Sequence, residues 1–468
     1  MLRLPRFHPH AVLMDAGIML VGIMLGGPVC QAVEPATTTA KTADWAGLEN
    51  LLRAGAYERA ATAADEIATA LKPKRRDPEF VAQSIGFFRA LMRRGFAEFR
   101  LGRLDAAAAT FEQARGIPRD SEFKRLLAAE ARGKDARFAN MLVPLEVDLM
   151  ELLLLRMLVI LERLRLANLQ SAAAAVRSPA EEKAFRKQVG DWLDDLDALA
   201  KTDVEALKSL EDRLEKAAPA VLASPRNRAL VGRFPRSLVA GIKSLELSRL
   251  PWGDPRSAAN TAAEAAPSRT PGEWLAESAR QLADAAAALD EAIAAAAPRG
   301  AATLKPDQTV EILLIQSELR IREGEVLLAA GDPSGSQKCF MQATDYLEQI
   351  ATLRKLPQPK SHPDLFQPLV LCADAMLTEA RRHVEKGDPA QGRQTIVAAS
   401  AILARAEELH VPEDHPLRPQ LLSLQKLVGE DLAQAGAKLP GVEAAKAAAR
   451  RMRRTLDGAA ASIDLVTP

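Results

Sequence analysis

With 62 basic and 61 acidic residues among 468, the chain carries no net field to draw nucleic acid or an acidic membrane surface, so partners must be recognised locally. The length suits roughly three domains or one extended repeat array. Hydrophobic residues make up 48% but aromatics only 4%, and 2 Tyr and 4 Trp leave few platforms on which sugars or unpaired bases stack. The apolar content is therefore mostly Ala, Leu, Val and Ile, and no sustained apolar/polar alternation occurs, which gives an all-α chain.

The N-terminus reads as a secretory signal peptide over residues 1–32: Arg3 and Arg6, an apolar stretch from Ala16 to Leu25, then Gly26-Gly27-Pro28 and small residues. Asp15 shortens the apolar stretch below the length of a membrane span, which favours cleavage, and the small residues Cys30 and Ala32 place the cut before Val33. A lipoprotein cut before Cys30 is the competing reading. Losing residues 1–32 leaves 60 basic and 60 acidic residues, so the mature chain is neutral and exported, periplasmic or secreted. Membrane contact is then transient or through the N-terminus. An oxidising compartment permits a disulfide between Cys339 and Cys372, but both fall in predicted helices, where such residues usually fill small core positions.

Residues 33–43 form a Thr/Ala/Pro/Lys spacer, and residues 44–248 the N-terminal helical domain. Its first predicted hairpin has Trp45, Leu48, Leu51 and Leu52 on one helix, a Gly55-Ala56-Tyr57 turn, then Ala60, Ala64 and Ile67. The second begins near Phe80, turns at Gly102-Arg103-Leu104 and continues through Ala107, Phe111 and Ala114. The pattern returns in GEVLLAAGDPSGSQKCFMQA, with Gly324, Gly331, Ser336, Phe340 and Ala343, and in ARRHVEKGDPAQGRQTIVAA, with Ala380, Gly387, Gly392, Ile396 and Ala399. A Gly turn, a small residue where paired helices approach, then a bulky residue and Ala on the same face resemble tetratricopeptide repeats. Gly331 and Gly387 stand 56 apart, more than the roughly 34 residues of that unit, so these hairpins need longer helices or connections. In both copies Gly ends one helix while Asp and Pro begin the next. The resemblance implies an α-solenoid of such hairpins, and the sequence between the two blocks adds a central long-helix region.

That central region is Leu142 to Leu166, an apolar helix whose Glu146, Asp148, Glu151, Arg156, Glu162, Arg163 and Arg165 deny it a membrane span, so it is expected to be buried. Ser178-Pro179-Ala180-Glu181 and Thr270-Pro271-Gly272-Glu273 read as capping boxes that start helices. Two further amphipathic helices are expected over Thr202–Ala217 and Pro235–Leu247. Residues 249–269 lack periodicity and mark a linker; residues 270–437 form the C-terminal hairpins, and residues 438–468 a basic helix and tail.

Enzyme motifs are missing. Gly331 to Lys338 has no Gly-Lys-Ser/Thr, which makes it a helix turn rather than a phosphate loop, and there is no Gly-x-Ser-x-Gly elbow or helical His-Glu-x-x-His. The reading is therefore a non-catalytic scaffold or adaptor for a protein or peptide partner, with no cofactor and no evident small-molecule substrate. One alternative is a helical enzyme with a metal site near His410 and His415, where four carboxylates join two His. Another is a membrane-associated structural component with a retained or lipidated N-terminus. Asp194-Asp195-Leu196-Asp197 is expected to be a solvated face. The resemblance places partner binding on the first helix of each hairpin; carried over by spacing from Gly95 and Gly102, this gives Arg89, Met92, Phe96, Phe99 and Arg100. Two Arg beside Phe suit a peptide with carboxylates and an apolar anchor. Later faces carry Glu318, Glu325, Asp374, Arg381 and Glu385, which would let one chain bridge two unlike partners.

Overall fold

The structure is a computed structural model. It describes residues 44–434 apart from residues 76, 78, 133–135, 174–177, 218–220, 251–253, 257–268, 297–305, 357–359, 361, 410 and 412–416. The expected signal peptide, spacer and basic tail, and most of the linker, lie outside the described residues. Every α-helix or 3-10 turn joins its neighbours without a strand among the described residues. The α-helices are α1 (Trp45–Arg53), α2 (Tyr57–Ala70), α3 (Phe80–Arg100), α4 (Leu104–Gly116), α5 (Ser121–Arg132), α6 (Ala136–Ala173), α7 (Pro179–Ala217) and α8 (Pro225–Val231). They continue with α9 (Phe234–Arg249), α10 (Pro271–Ala296), α11 (Pro306–Ala329), α12 (Pro333–Leu353), α13 (Phe366–Glu385), α14 (Pro389–Glu407) and α15 (Arg418–Gln434). The helix expected over 202–217 is the second half of α7, because nothing between Pro179 and Ala217 breaks the pattern.

Four tight turns join α1 to α2, α3 to α4, α11 to α12 and α13 to α14. Each has a left-handed Gly: Gly55 at φ 71°, Gly102 at 74°, Gly331 at 84° and Gly387 at 86°. At each, the Gly N–H and the next N–H reach back to carbonyls of the ending helix; at Gly331 these are Leu328 O at 3.0 Å and, from Asp332, Leu327 O at 2.7 Å. That double closure satisfies carbonyls the helix end would otherwise strand, and its left-handed backbone favours a residue without a Cβ. After Gly331 and Gly387, the Asp332 and Asp388 carboxylates accept from Gly335 N and Gln391 N, both at 3.0 Å, and a Pro opens each helix. The capping boxes also form: Glu181 N donates to Ser178 Oγ at 3.3 Å and Ser178 N to the Glu181 carboxylate at 2.8 Å, with Thr270 and Glu273 repeating the exchange.

Gly387 isolates the backbone effect, since a Cβ built there meets nothing within 4 Å. Gly387→Ala is expected to cost about 1–2 kcal/mol from the left-handed backbone alone, as read by urea denaturation.

One register runs through all four hairpins. Seven residues before each turn Gly stand Leu48, Gly95, Gly324 and Ala380, and nine after it stand Ala64, Phe111, Phe340 and Ile396. All are buried. In the second and third hairpins the small member makes room for the large one: a Cβ on Gly95 would lie 2.6 Å from Phe111 Cε1, and one on Gly324 2.6 Å from Phe340 Cε1. The first hairpin carries the large residue before the turn, Leu48, and the small one after it, Ala64, where the other copies have Phe or Ile.

Helix α6 packs against α3, α4, α5, α7, α8 and α9, which buries the apolar stretch from Leu145 to Ala167 as expected. Helices α9 and α10 pack directly on one another across the linker, and Ser278 of α10 donates to Gly241 O at 2.7 Å. One apolar cluster extends from Leu48 to Val428, so the hairpins at both ends share a core. No described helix is long and apolar enough to cross a membrane. Cys339 and Cys372 are both free and buried.

Candidate functional site

The five residues assigned to partner binding do not line an open face. Met92, Phe96 and Phe99 are buried at 2%, 2% and 0% exposure. Arg89 is partly covered and pairs with Asp148 of α6 at 3.0 Å, and Arg100 is buried against Asp364. The carboxylates expected for these Arg are present, but the chain itself supplies them. The later residues divide: Glu318, Glu325 and Asp374 are buried, whereas Arg381 and Glu385 are exposed.

Asp364 sits in a 3-10 turn, Pro363–Leu365, between α12 and α13, and this turn meets the first hairpin. Tyr57 donates its hydroxyl to Asp364 Oδ1 at 2.8 Å, and the Arg100 guanidinium pairs with the same oxygen. Arg100 also lies 4.9 Å from the Tyr57 ring centroid, and the Phe96 ring meets Tyr57 edge-on at 6.0 Å. Burial alone would raise the Asp364 pKa, but Arg100, His362, the Tyr57 hydrogen bond and Arg354 together outweigh it and hold the carboxyl below its ordinary value. His362 completes the seam. Its Nδ1 accepts from Asp364 N at 3.2 Å, so its Nε2 carries the hydrogen donated to Arg53 O at 3.1 Å. Gly55 makes room for the turn, since a Cβ there would come within 2.3 Å of Pro363 Cγ.

A second polar constellation lies deeper, where α6, α9 and α11 meet. Glu162 and Arg165 pair at 3.1 Å, Arg249 bridges Glu246 at 2.5 Å and Glu325 at 3.2 Å, and Arg322 bridges Glu318 at 2.7 Å and Glu325 at 2.9 Å. Asn168 adds bonds from its amide to the Glu246 carbonyl and carboxylate, both at 3.0 Å. Burial pushes the Glu318 carboxyl up, whereas Arg322, Arg249 and Arg165 outweigh burial at Glu325 and hold it down. Four carboxylates thus face three guanidinium groups, and burial biases Glu318 toward protonation. The cluster ties a central helix to two others but presents no accessible nucleophile.

Asp374 is a third case. It is buried in α13, and burial raises its pKa to about 8 against the opposing Arg381 charge and a 3.4 Å bond from Gln420 of α15. A carboxyl more basic folded than unfolded favours the folded chain's proton, so stability falls as pH rises from the ordinary carboxylate range to about 8. Asp374→Asn removes that slope. Its stability relative to the parent is expected to rise across this window by at most about 1.4 kcal/mol per pH unit, read from urea midpoints at pH 5, 6, 7 and 8.

Asp194 and Asp197 are not simply solvated: Arg256 reaches them at 3.2 and 2.6 Å, and Lys243 reaches Asp197 at 2.5 Å, pinning the described part of the linker to α7. Gly331 to Lys338 is a helix start, as expected. Among the described residues no group of three or more His, Cys, Asp or Glu is placed to hold a metal ion. His410 and His415 lie outside the described residues. The chain matches no protein-family model, no curated protein and no solved structure.

Proposed function

We propose that the chain is an exported helical-repeat scaffold, a solenoid of tetratricopeptide-like hairpins that holds a protein or peptide partner and catalyses no reaction. The observation that carries this reading is the fourfold recurrence of one unit, with a left-handed Gly at 55, 102, 331 and 387 and the same buried positions around it. Repeated hairpins that pack on their neighbours create extended surface and a rigid frame, which is what holding a partner requires. The signal-peptide features of residues 1–32 support export. Among the described residues, the large apolar side chains that remain exposed are Met341, Leu353, Val384 and Leu422, all in the C-terminal hairpins and α15. We place partner contact there.

Photo-crosslinking residues at Met341, Val384 and Leu422, introduced singly in the native cell, test this. The expected result is one protein captured from at least two of these positions and not from Lys187 on the exposed side of α7. Failure of all three to capture a protein, or recovery of the chain from the cytoplasm with residues 1–32 intact, would overturn the reading.

A further inference from the structure

We infer that the face formed by the first two hairpins is a docking site for a short peptide turn that presents one carboxylate, held shut by the chain's own His362–Leu365. The inference rests on the scaffold reading and names a partner chemistry for a second face. The contacts of this segment are those of a short linear peptide in a groove. A backbone acceptor, Arg53 O, takes the His362 ring; a slot over Gly55 takes Pro363; and Tyr57 with Arg100 seats the Asp364 carboxylate. The first hairpin supplies Arg53, Gly55 and Tyr57 from its turn, and the second supplies Arg100, which closes α3.

The segment reaches this face by an excursion. The Gly turns of the C-terminal hairpins close at once, but α12 and α13 are separated by residues 354–365, long enough to cross to the first hairpin. At its start Lys355 adopts φ 54° with the same double closure onto Thr352 O and Ala351 O, so the excursion begins from a helix end of the repeat type without its Gly. Charge also points to a carboxylate as the required occupant. Arg354 and Arg53 lie near the same seam as Arg100, with Arg53 disfavouring and Asp364 favouring the Arg354 charge. Asp364 is thus the counter-charge to cations from both ends of the fold. An intramolecular segment acts at high effective concentration, so it keeps the groove filled until a partner presenting several such segments displaces it.

The test uses the full chain and a fluorescent peptide with the sequence of residues 360–369, KSHPDLFQPL. The Asp364→Asn chain, whose own segment has lost its seat, is expected to bind this peptide at least ten-fold tighter than the parent by anisotropy. A peptide with Asn in place of Asp should not bind, and adding Arg100→Gln should abolish binding. A folded Asp364→Asn chain that ignores the peptide, or that takes the Asn peptide equally well, overturns the inference. If that variant does not fold, hydrogen exchange in the parent decides. Asp364 and Leu365 amides exchanging at least ten-fold faster than those in the middle of α3 support opening of the groove, and a common rate shows a purely structural clasp. None of these readouts needs the partner captured at the C-terminal hairpins, so either proposal can fail alone.

Discussion

Arg322→Met is expected to lower the unfolding free energy by about 3–5 kcal/mol. Arg322 is 1% exposed and holds Glu318 and Glu325 on the same helix, one turn to either side. Removing it leaves Glu318 buried without its ion-pair partner and Glu325 with Arg249 alone, and that desolvation, rather than the lost attraction, sets the size of the effect. Two consequences separate this from a packing defect. The loss should shrink at acid pH, where both carboxyls take up protons. Replacing Glu318, Arg322 and Glu325 together with Leu or Met should recover most of the stability, because the pairs contribute little beyond offsetting their own burial. Urea denaturation of both variants at pH 4.5 and pH 7.5 measures this; a loss in Arg322→Met independent of pH would refute the account.

Phe340→Ala is expected to cost about 3–5 kcal/mol, and Phe111→Ala the same. Both rings are fully buried and lie against a Gly of the preceding helix, so the neighbouring backbone cannot collapse into the space left behind. The register adds a coupling test. Gly324→Ala alone should cost about 1–3 kcal/mol, since its Cβ would press on the ring. In the Phe340→Ala background the same change should cost much less. A double-mutant cycle therefore carries an interaction energy, and additive losses would show that the two positions do not pack as a unit.

Local features of the fold were legible because they are written in neighbouring residues. Gly-Asp-Pro announces a helix end, cap and start within three positions, and Ser178 with Glu181 or Thr270 with Glu273 do the same. The burial of Phe111 and Phe340 followed from the spacing to a turn Gly. The exposure of the first-helix faces did not follow, because what covers them comes from far along the chain: Asp148 over Arg89, and Asp364 over Arg100. The ionic core was half-visible. A helix apolar on nearly every side, such as Leu142 to Leu166, has no solvent face on which to place Glu162 and Arg165, so their burial was implied even though their neighbours on α9 and α11 were not. Pairs such as Glu318 and Arg322 look in sequence like the solvated pairs of any surface helix, and only tertiary packing distinguishes them.

The seam between Tyr57 and Asp364 also bears on how the chain folds. The two residues are 307 positions apart, so the first hairpin's hydrogen bond to Asp364 closes a long loop of the chain. Hairpins of this kind can form locally within microseconds to milliseconds, but this one cannot reach its final packing until Asp364 has been synthesised. At about 5–20 residues per second that delay is about 15–60 seconds, during which the Tyr57 and Arg100 side chains lack their native carboxylate. A chain interrupted before Asp364 would present those groups, together with the rim of the Phe96 contact, to whatever binds nascent polypeptides.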